Sequence, residues 1–199
     1  MKTAFCFDLD GTITSTEILP CIASELGVAD EIATLTRATM DGLISFEASF
    51  RLRCLILSRV SPSRIRSIAA EIPIDNAILS FIQENRENSF IVTGNLDIWI
   101  QPILDLCGCN VISSEGTYEN DTINIKKVLN KAHAIVKIRA MGYTRIVAVG
   151  DGANDAPMLS SADISIAFGG VHTPSTAAKN ASQYIIHEGA TLCKMLRAL

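Results

Sequence analysis

The chain has 199 residues, 48% of them hydrophobic and 19% charged, with a formal net charge of -4. That balance belongs to a folded protein with one sizeable core and excludes a disordered chain. The weak negative charge argues against nucleic acid or an anionic membrane as partner, and no apolar run is long enough to span a bilayer. Met1–Phe5 leads straight into a strand-like segment carrying Asp8 and Asp10, without the apolar stretch or cleavage site of a secretory signal, so a soluble, cytoplasmic protein is expected. No regulatory domain precedes that segment, and feedback through such a domain is not expected. The scattered cysteines Cys6, Cys21, Cys54, Cys107, Cys109 and Cys193 read as small buried hydrophobes. Cys107-Gly-Cys109 has no second pair at metal-binding spacing, and His133, His172 and His187 read as ordinary surface or helical histidines.

In chain order, the first apolar run is Ala4–Phe7, ending at Asp8. Residues 14 to about 74 contain no clear strand. Ile18, Leu19, Ile22 and Leu26 recur at helical spacing with Gly27 as a cap, and further helices are expected at 30–40, 45–58 and 62–70 before Pro73. A helix over 76–88 leads to the run Phe90–Val92, which ends at Thr93-Gly94, and another helix is expected over 97–106. Residues 109–124, with Gly116, Asn120 and Asp121, suit a small hairpin or irregular loop. A helix is expected over 125–140, then the run Ile146–Val149 ending at Gly150-Asp151, then Ile164–Phe168 ending at Gly169-Gly170. The tail, 174–199, reads as helix, short strand, helix.

Short continuous apolar runs suit strands buried on both faces, so the pattern predicts an α/β fold with a doubly wound, mostly parallel sheet. The core would comprise 1–13 and 75–199, and 14–74 would be a helical cap inserted after the first strand. In such sheets ligands bind beyond the carboxyl ends of the strands, where Asp8, Thr93 and Asp151 stand. Asp-Gly and Asn-Asp are also ordinary turn residues, yet two acid-rich segments, each closing a buried strand, are poorly explained by turns alone. Asp8-Leu9-Asp10 and Gly150-Asp151-Gly152-Ala153-Asn154-Asp155 would crowd carboxylates into one crevice, which requires protons or a cation. Few protein ligands, all oxygen, suit Mg²⁺ with phosphate as co-ligand.

Asp8-Leu9-Asp10-Gly11-Thr12, Val92-Thr93-Gly94, Lys131 and Gly150–Asp155 follow one another as in the haloacid dehalogenase superfamily, which the chain resembles over nearly its whole length. The resemblance implies a Rossmann-like core and catalysis through a phospho-aspartyl intermediate on Asp8. It further implies Mg²⁺ held by Asp8, the Asp10 backbone carbonyl and Asp151. Asp10 would serve as acid and then base, and Thr93 and Gly94 would bind phosphate. Lys131 would balance charge, with Lys127 one turn earlier as the rival. Gly11 and Thr12 would shape the turn, while Asn154 and Asp155 would orient the lysine and a water.

Phe46, Phe50, Arg53 and Leu57 fall on one helical stripe. An arginine within an apolar stripe needs an anionic partner or a route to water, and its planar fork suits a carboxylate. Met40–Arg53 is similar to the cap of phosphoserine phosphatases, as is the spacing of Glu17 from the aspartate pair. This implies Glu17 for a substrate ammonium, Arg53 for its carboxylate, and Met40 and Phe46 as lining. The implied partner is a small phosphorylated metabolite, O-phospho-L-serine first. Phosphohomoserine, phosphothreonine and phosphoethanolamine remain alternatives, as do a phosphomutase and a non-catalytic phospho-receiver. Two positions depart from that pattern: Asn95 stands where those enzymes usually carry glycine, and the 169–174 loop lacks their small-residue-Lys-Pro motif.

Overall fold

The computed structural model describes residues 2–40, 43–119 and 122–199, the Met40 side chain excepted. Its centre is a seven-stranded sheet. The strands are β1 (Thr3–Phe7), β2 (Ser89–Leu96), β3 (Asn110–Glu119), β4 (Thr122–Lys127), β5 (Arg145–Gly150), β6 (Ile164–Phe168) and β7 (Tyr184–Ile186). They lie in the order β4-β3-β2-β1-β5-β6-β7, and all neighbours are parallel except β3 and β4. Because the chain fills the β2 side of β1 before the β5 side, the carboxyl end of β1 is the topological switch point.

The strands alternate strictly between two buried faces. Phe5, Phe7, Ile91, Val147 and Val149 face one cluster, whereas Ala4, Cys6, Phe90, Val92, Ile146 and Ala148 face the other. This is the pattern expected of a sheet covered on both sides. The first face is covered by α5 (Asn76–Glu84), α6 (Asp97–Cys107) and α10 (Gly189–Arg197). The second is covered by α7 (Lys131–Ala140), α8 (Ala156–Ser161) and α9 (Thr176–Asn180). Phe81 of α5, 1% exposed, sets its ring edge-on against Phe5 and Phe7. Asp75 caps α5 by accepting from the amides of Ala77 and Ile78.

Between β1 and α5 lie α1 (Ile18–Ser24), α2 (Ala29–Met40), α3 (Phe46–Leu57) and α4 (Pro62–Glu71). Ser45 and Ser61 cap α3 and α4, and Gly27 takes a left-handed conformation after α1. The two chain passages at the root of this helical group hold each other: Thr14 bridges Ile74, Ser15 donates to the Pro73 carbonyl, and Asp75 donates to the Ile13 carbonyl. Ile18, Ile22, Phe50, Leu57 and Ile65 join the same apolar cluster as the sheet residues Phe7 and Ile91. Arg51 of α3 also donates to the Ile125 carbonyl of β4, at 3.3 Å.

The sequence reading needs three corrections. The stretch 125–140 is not one helix: β4 runs to Lys127, and α7 begins only at Lys131, capped by Asn130. The small hairpin expected within 109–124 is larger than read: residues 110–119 form a full strand that pairs in parallel with β2 and antiparallel with β4. Asn120 and Asp121, read as turn residues, lie outside the described residues. Finally, α5 ends at Glu84, short of the expected 88. Phe81→Ala should leave a cavity beneath β1 and lower the unfolding free energy by about 3–5 kcal/mol in urea denaturation. A loss below about 1 kcal/mol would contradict the packing described.

Candidate active site

Asp8 follows β1, Thr93 lies in β2, and Asp151 follows β5, so neighbouring parallel strands deliver all three to one mouth. After Leu9 the chain turns tightly: the amides of Thr12, Ile13 and Thr14 all reach the Leu9 carbonyl. Gly11 makes that turn at φ +72, where an added Cβ would lie 2.6 Å from the His172 ring and 3.0 Å from the Asp151 carboxylate. Thr12 donates to Asp151 Oδ1 at 3.2 Å, tying the first loop to the β5 loop.

Lys131 is buried beneath the mouth and donates to both Asp8 and Asp155. Asp155 uses its other oxygen to accept from the amides of Asp151 and Gly152, at 3.0 and 2.8 Å, which shapes the β5 loop. Asn154 lines the cavity beside them. Lys127, on β4 and exposed, approaches only Glu115 among the described residues, at 3.9 Å, so of the two lysines it is Lys131 that reaches the aspartates.

Asp8, Asp10, Asp151 and Asp155 thus share one crevice with a single ammonium. Burial raises Asp8 well above the ordinary carboxylate range, and Asp155 adds to that. Burial pushes Asp10 up to about 6. Burial and the neighbouring Asp155 push Asp151 up to about 6. Burial disfavours the charge on Lys131, but Asp155 and Asp8 outweigh it and hold the ammonium protonated. The surplus negative charge calls for a cation, and one oxygen each of Asp8, Asp151 and Asp155 lies within 4.8 Å of the others. An all-carboxylate set of this size fits Mg²⁺. Asp155 is the most heavily engaged of the three, with Lys131 on one oxygen and two loop amides on the other, whereas Asp151 meets Thr12 and the exposed His172 and Asp8 meets Lys131.

The cavity above holds about 370 Å³. Asp8, Asp10, Thr93, Gly94, Asn95, Asp151 and Asn154 line its sheet side; Glu17, Phe46 and Arg53 line its cap side. The Phe46 ring lies over Gly94, where a Cβ would sit 2.8 Å from its tip, so glycine permits this close approach of cap to strand. Phe46 also stacks on Phe50. Glu17, exposed, stands directly before α1. Of the expected lining residues, the Met40 side chain lies outside the described residues.

Arg53 is 7% exposed and forms no ion pair among the described residues. Its guanidinium donates only to the Ser49 carbonyl at 3.4 Å and the Thr36 hydroxyl at 3.3 Å. Burial lowers its pKa accordingly. Thr36 and Thr39, which the sequence reading did not single out, line the same wall. His172 is a correction: instead of an ordinary surface or helical histidine, it reaches Asp151 Oδ2 at 2.8 Å and lines the cavity. Only its place in the loop after β6, at the same sheet mouth, pointed there. Cys6, Cys54, Cys107 and Cys193 are buried and none of the six cysteines is disulfide-bonded.

The sequence profile of haloacid dehalogenase-like hydrolases matches residues 5–160. The chain is 30% identical over 183 residues to the phosphoserine phosphatase of Methanocaldococcus jannaschii, spanning 84% of this chain and 85% of that protein. It superposes on a substrate-bound phosphoserine phosphatase complex with a TM-score of 0.83 at 25% identity, covering 100% of this chain and 99% of that one. A phospho-aspartyl intermediate analogue of phosphoserine phosphatase gives a TM-score of 0.81 at 25% identity, covering 100% and 98%. The motifs, the sheet order and the profile agree: the chain belongs to the haloacid dehalogenase-like hydrolases and is similar to phosphatases among them.

Proposed function

We propose that the protein is a Mg²⁺-dependent phosphomonoesterase whose substrate is O-phospho-L-serine or a close phosphorylated amino acid. In this reading 1–13 and 75–199 form the catalytic core and 14–74 the specificity cap. The observation that carries it is a buried Arg53 with no ion pair among the described residues, lining one cavity with Asp8, Asp10 and Asp151. An unpaired buried guanidinium is costly unless a ligand brings the negative charge. Arg53 suits the substrate carboxylate in a bidentate mode, and Glu17 on the same wall suits the ammonium.

Asp8, with the Asp10 backbone carbonyl and Asp151, would hold Mg²⁺, which when bound neutralises charge between nucleophile and phosphate. The Asp8 carboxylate attacks phosphorus in line, and the P–O bond to serine breaks as Asp10 protonates the leaving oxygen. Thr93 Oγ1 accepts from the Asn95 amide and side chain at 3.1 and 3.3 Å, which leaves its own proton free to donate to a phosphate oxygen. Lys131 stabilises the charge that develops on Asp8 and phosphate. Asp10, now ionised, then takes a proton from the water that cleaves the acyl phosphate. Names of the relatives support the substrate class: each of those described above is a phosphoserine phosphatase.

Asp8→Asn should abolish turnover of O-phospho-L-serine in a phosphate-release assay with Mg²⁺; activity above a few per cent would remove the nucleophile assignment. Arg53→Ala should lower kcat/KM for O-phospho-L-serine by about 100-fold while changing p-nitrophenyl phosphate little, because only the former carries a carboxylate. Equal activity of variant and wild type on phosphoserine would end the amino acid reading.

Metal binding should also register as stability. Asp10 and Asp151 are raised from 3.8 to about 6, so the folded state holds their protons longer than the unfolded chain does. The contribution of these two groups to stability is then fully present below pH 4 and is lost as pH rises through about 6. Mg²⁺ takes over from those protons, so its stabilisation must grow with pH. At a hundred times its Kd, Mg²⁺ should raise Tm at pH 7.5 by about 5–10 °C and by less than half as much at pH 5. Equal shifts at both pH values in thermal denaturation would contradict a site built on these acids.

A further inference from the structure

We propose that Asn95 is a positioning residue that holds the Asp10 carboxylate for proton transfer with the leaving group and then with water. This rests on the phosphomonoesterase reading above and extends it to a residue at which the chain departs from its relatives' usual glycine.

The local backbone explains why a side chain is available there. β2 pairs with β3 through Thr93–Ser113, but the next pairing is Leu96–Ser114, so Gly94 and Asn95 bulge out of the ladder. Ser114 holds the bulge by donating to the Gly94 carbonyl at 2.7 Å. Asn95 is 3% exposed and lines the cavity, and its Nδ2 donates to Asp10 Oδ2 and to Thr93 Oγ1. An ionised carboxylate only accepts, so the amide must present its NH₂ and not its carbonyl to Asp10.

The other oxygen of Asp10 is held from the opposite side. Oδ1 accepts from the amide of Ile18 at 2.9 Å, at the start of the first cap helix. With one donor on each oxygen, from β2 and from α1, the carboxyl plane is fixed, and each oxygen retains a second lone pair. One of those carries the proton delivered to the ester oxygen and later accepts one from water. The donor's neutrality matters: a lysine or arginine at this point would keep Asp10 ionised and unable to act as an acid, whereas an amide orients both protonation states. Without the Asn95 side chain, Oδ2 would lose its anchor and the carboxyl could rotate about its bond.

Proton delivery is needed in the first step only when the leaving group is a poor one. O-phospho-L-serine leaves as an alkoxide and needs the proton; p-nitrophenyl phosphate leaves as a stable phenolate and does not. The second step, attack of water on the acyl phosphate, needs Asp10 as base whatever left. In Asn95→Gly, kcat/KM for O-phospho-L-serine should fall about 30- to 100-fold, while kcat/KM for p-nitrophenyl phosphate should change less than about threefold. With p-nitrophenyl phosphate, the variant should also show a stopped-flow burst of nitrophenolate stoichiometric with enzyme, because the phospho-enzyme accumulates. Asn95→Ser, too short to reach Asp10, should behave the same way and serves if the glycine variant loses its fold by circular dichroism. Equal losses on both esters, or no loss on phosphoserine and no burst, would overturn the assignment. If the wild type hydrolyses p-nitrophenyl phosphate but not phosphoserine, the substrate reading fails separately. The burst then decides on Asn95 alone: its presence supports the role and its absence overturns it.

Discussion

The structure depends on one electrostatic constraint: four aspartates, Asp8, Asp10, Asp151 and Asp155, crowd one mouth of the sheet, and among the described residues Lys131 pairs with two of them, Asp8 and Asp155. Like charges at such separations cannot all remain ionised unless something positive is supplied. The fold supplies part of it permanently. Lys131 projects from the first turn of α7 into the space behind β1 and β5, and the Asp155 carboxylate is further satisfied by the backbone amides of the loop it braces. What the fold leaves uncompensated faces the cavity. A phosphate dianion would deepen that imbalance on its own; a divalent cation arriving with it reverses the imbalance, so metal and substrate should bind interdependently.

The same acids link cap to core. Asp10 accepts the amide that opens the first cap helix, and the two passages into and out of the cap pair with each other directly beneath it, through Thr14, Ile74 and Asp75. Phe46 lies on Gly94 at the other edge of the cavity, and Arg51 reaches the β4 backbone. Cap contacts therefore fall on both sides of the reacting centre. The apolar cluster continues without a break from Ile22 and Leu57 in the cap to Phe7 in the sheet. A shift of α1 would move Asp10 along with the helical wall of the cavity.

Much of this was legible in the sequence because the signals are local. Ala4–Phe7, Phe90–Val92, Ile146–Val149 and Ile164–Phe168 are strands of the sheet, and Asp8, Thr93 and Asp151, at the ends of the first three, do meet at one mouth. The failures have physical causes. β3 holds Ser113, Ser114 and Gly116 and carries no apolar run, because half of it pairs with an exposed strand and the Ser114 hydroxyl bonds to neighbouring backbone. Ile123 and Ile125 in β4 mimic the start of a helix when read together with the residues that follow. Short α8 left no periodicity to read. His172 was invisible because its partner, Asp151, lies in a different loop, and only the parallel pairing of β5 with β6 brings those two strand ends together.

The two buried cations divide the work of the site. Lys131 meets two carboxylates and would lose its charge balance without them, so it belongs to the machinery that is complete before substrate arrives. Arg53 meets only a carbonyl and a hydroxyl, both neutral, and burial works against its charge. A buried ion pair that is already satisfied gains nothing from a ligand, whereas an unsatisfied cation gains the most from a carboxylate that fits its fork. Among the described residues, then, the Lys131 ammonium is paired and the Arg53 guanidinium is not, so of the two it is Arg53 that would gain from an anion brought beside Thr36.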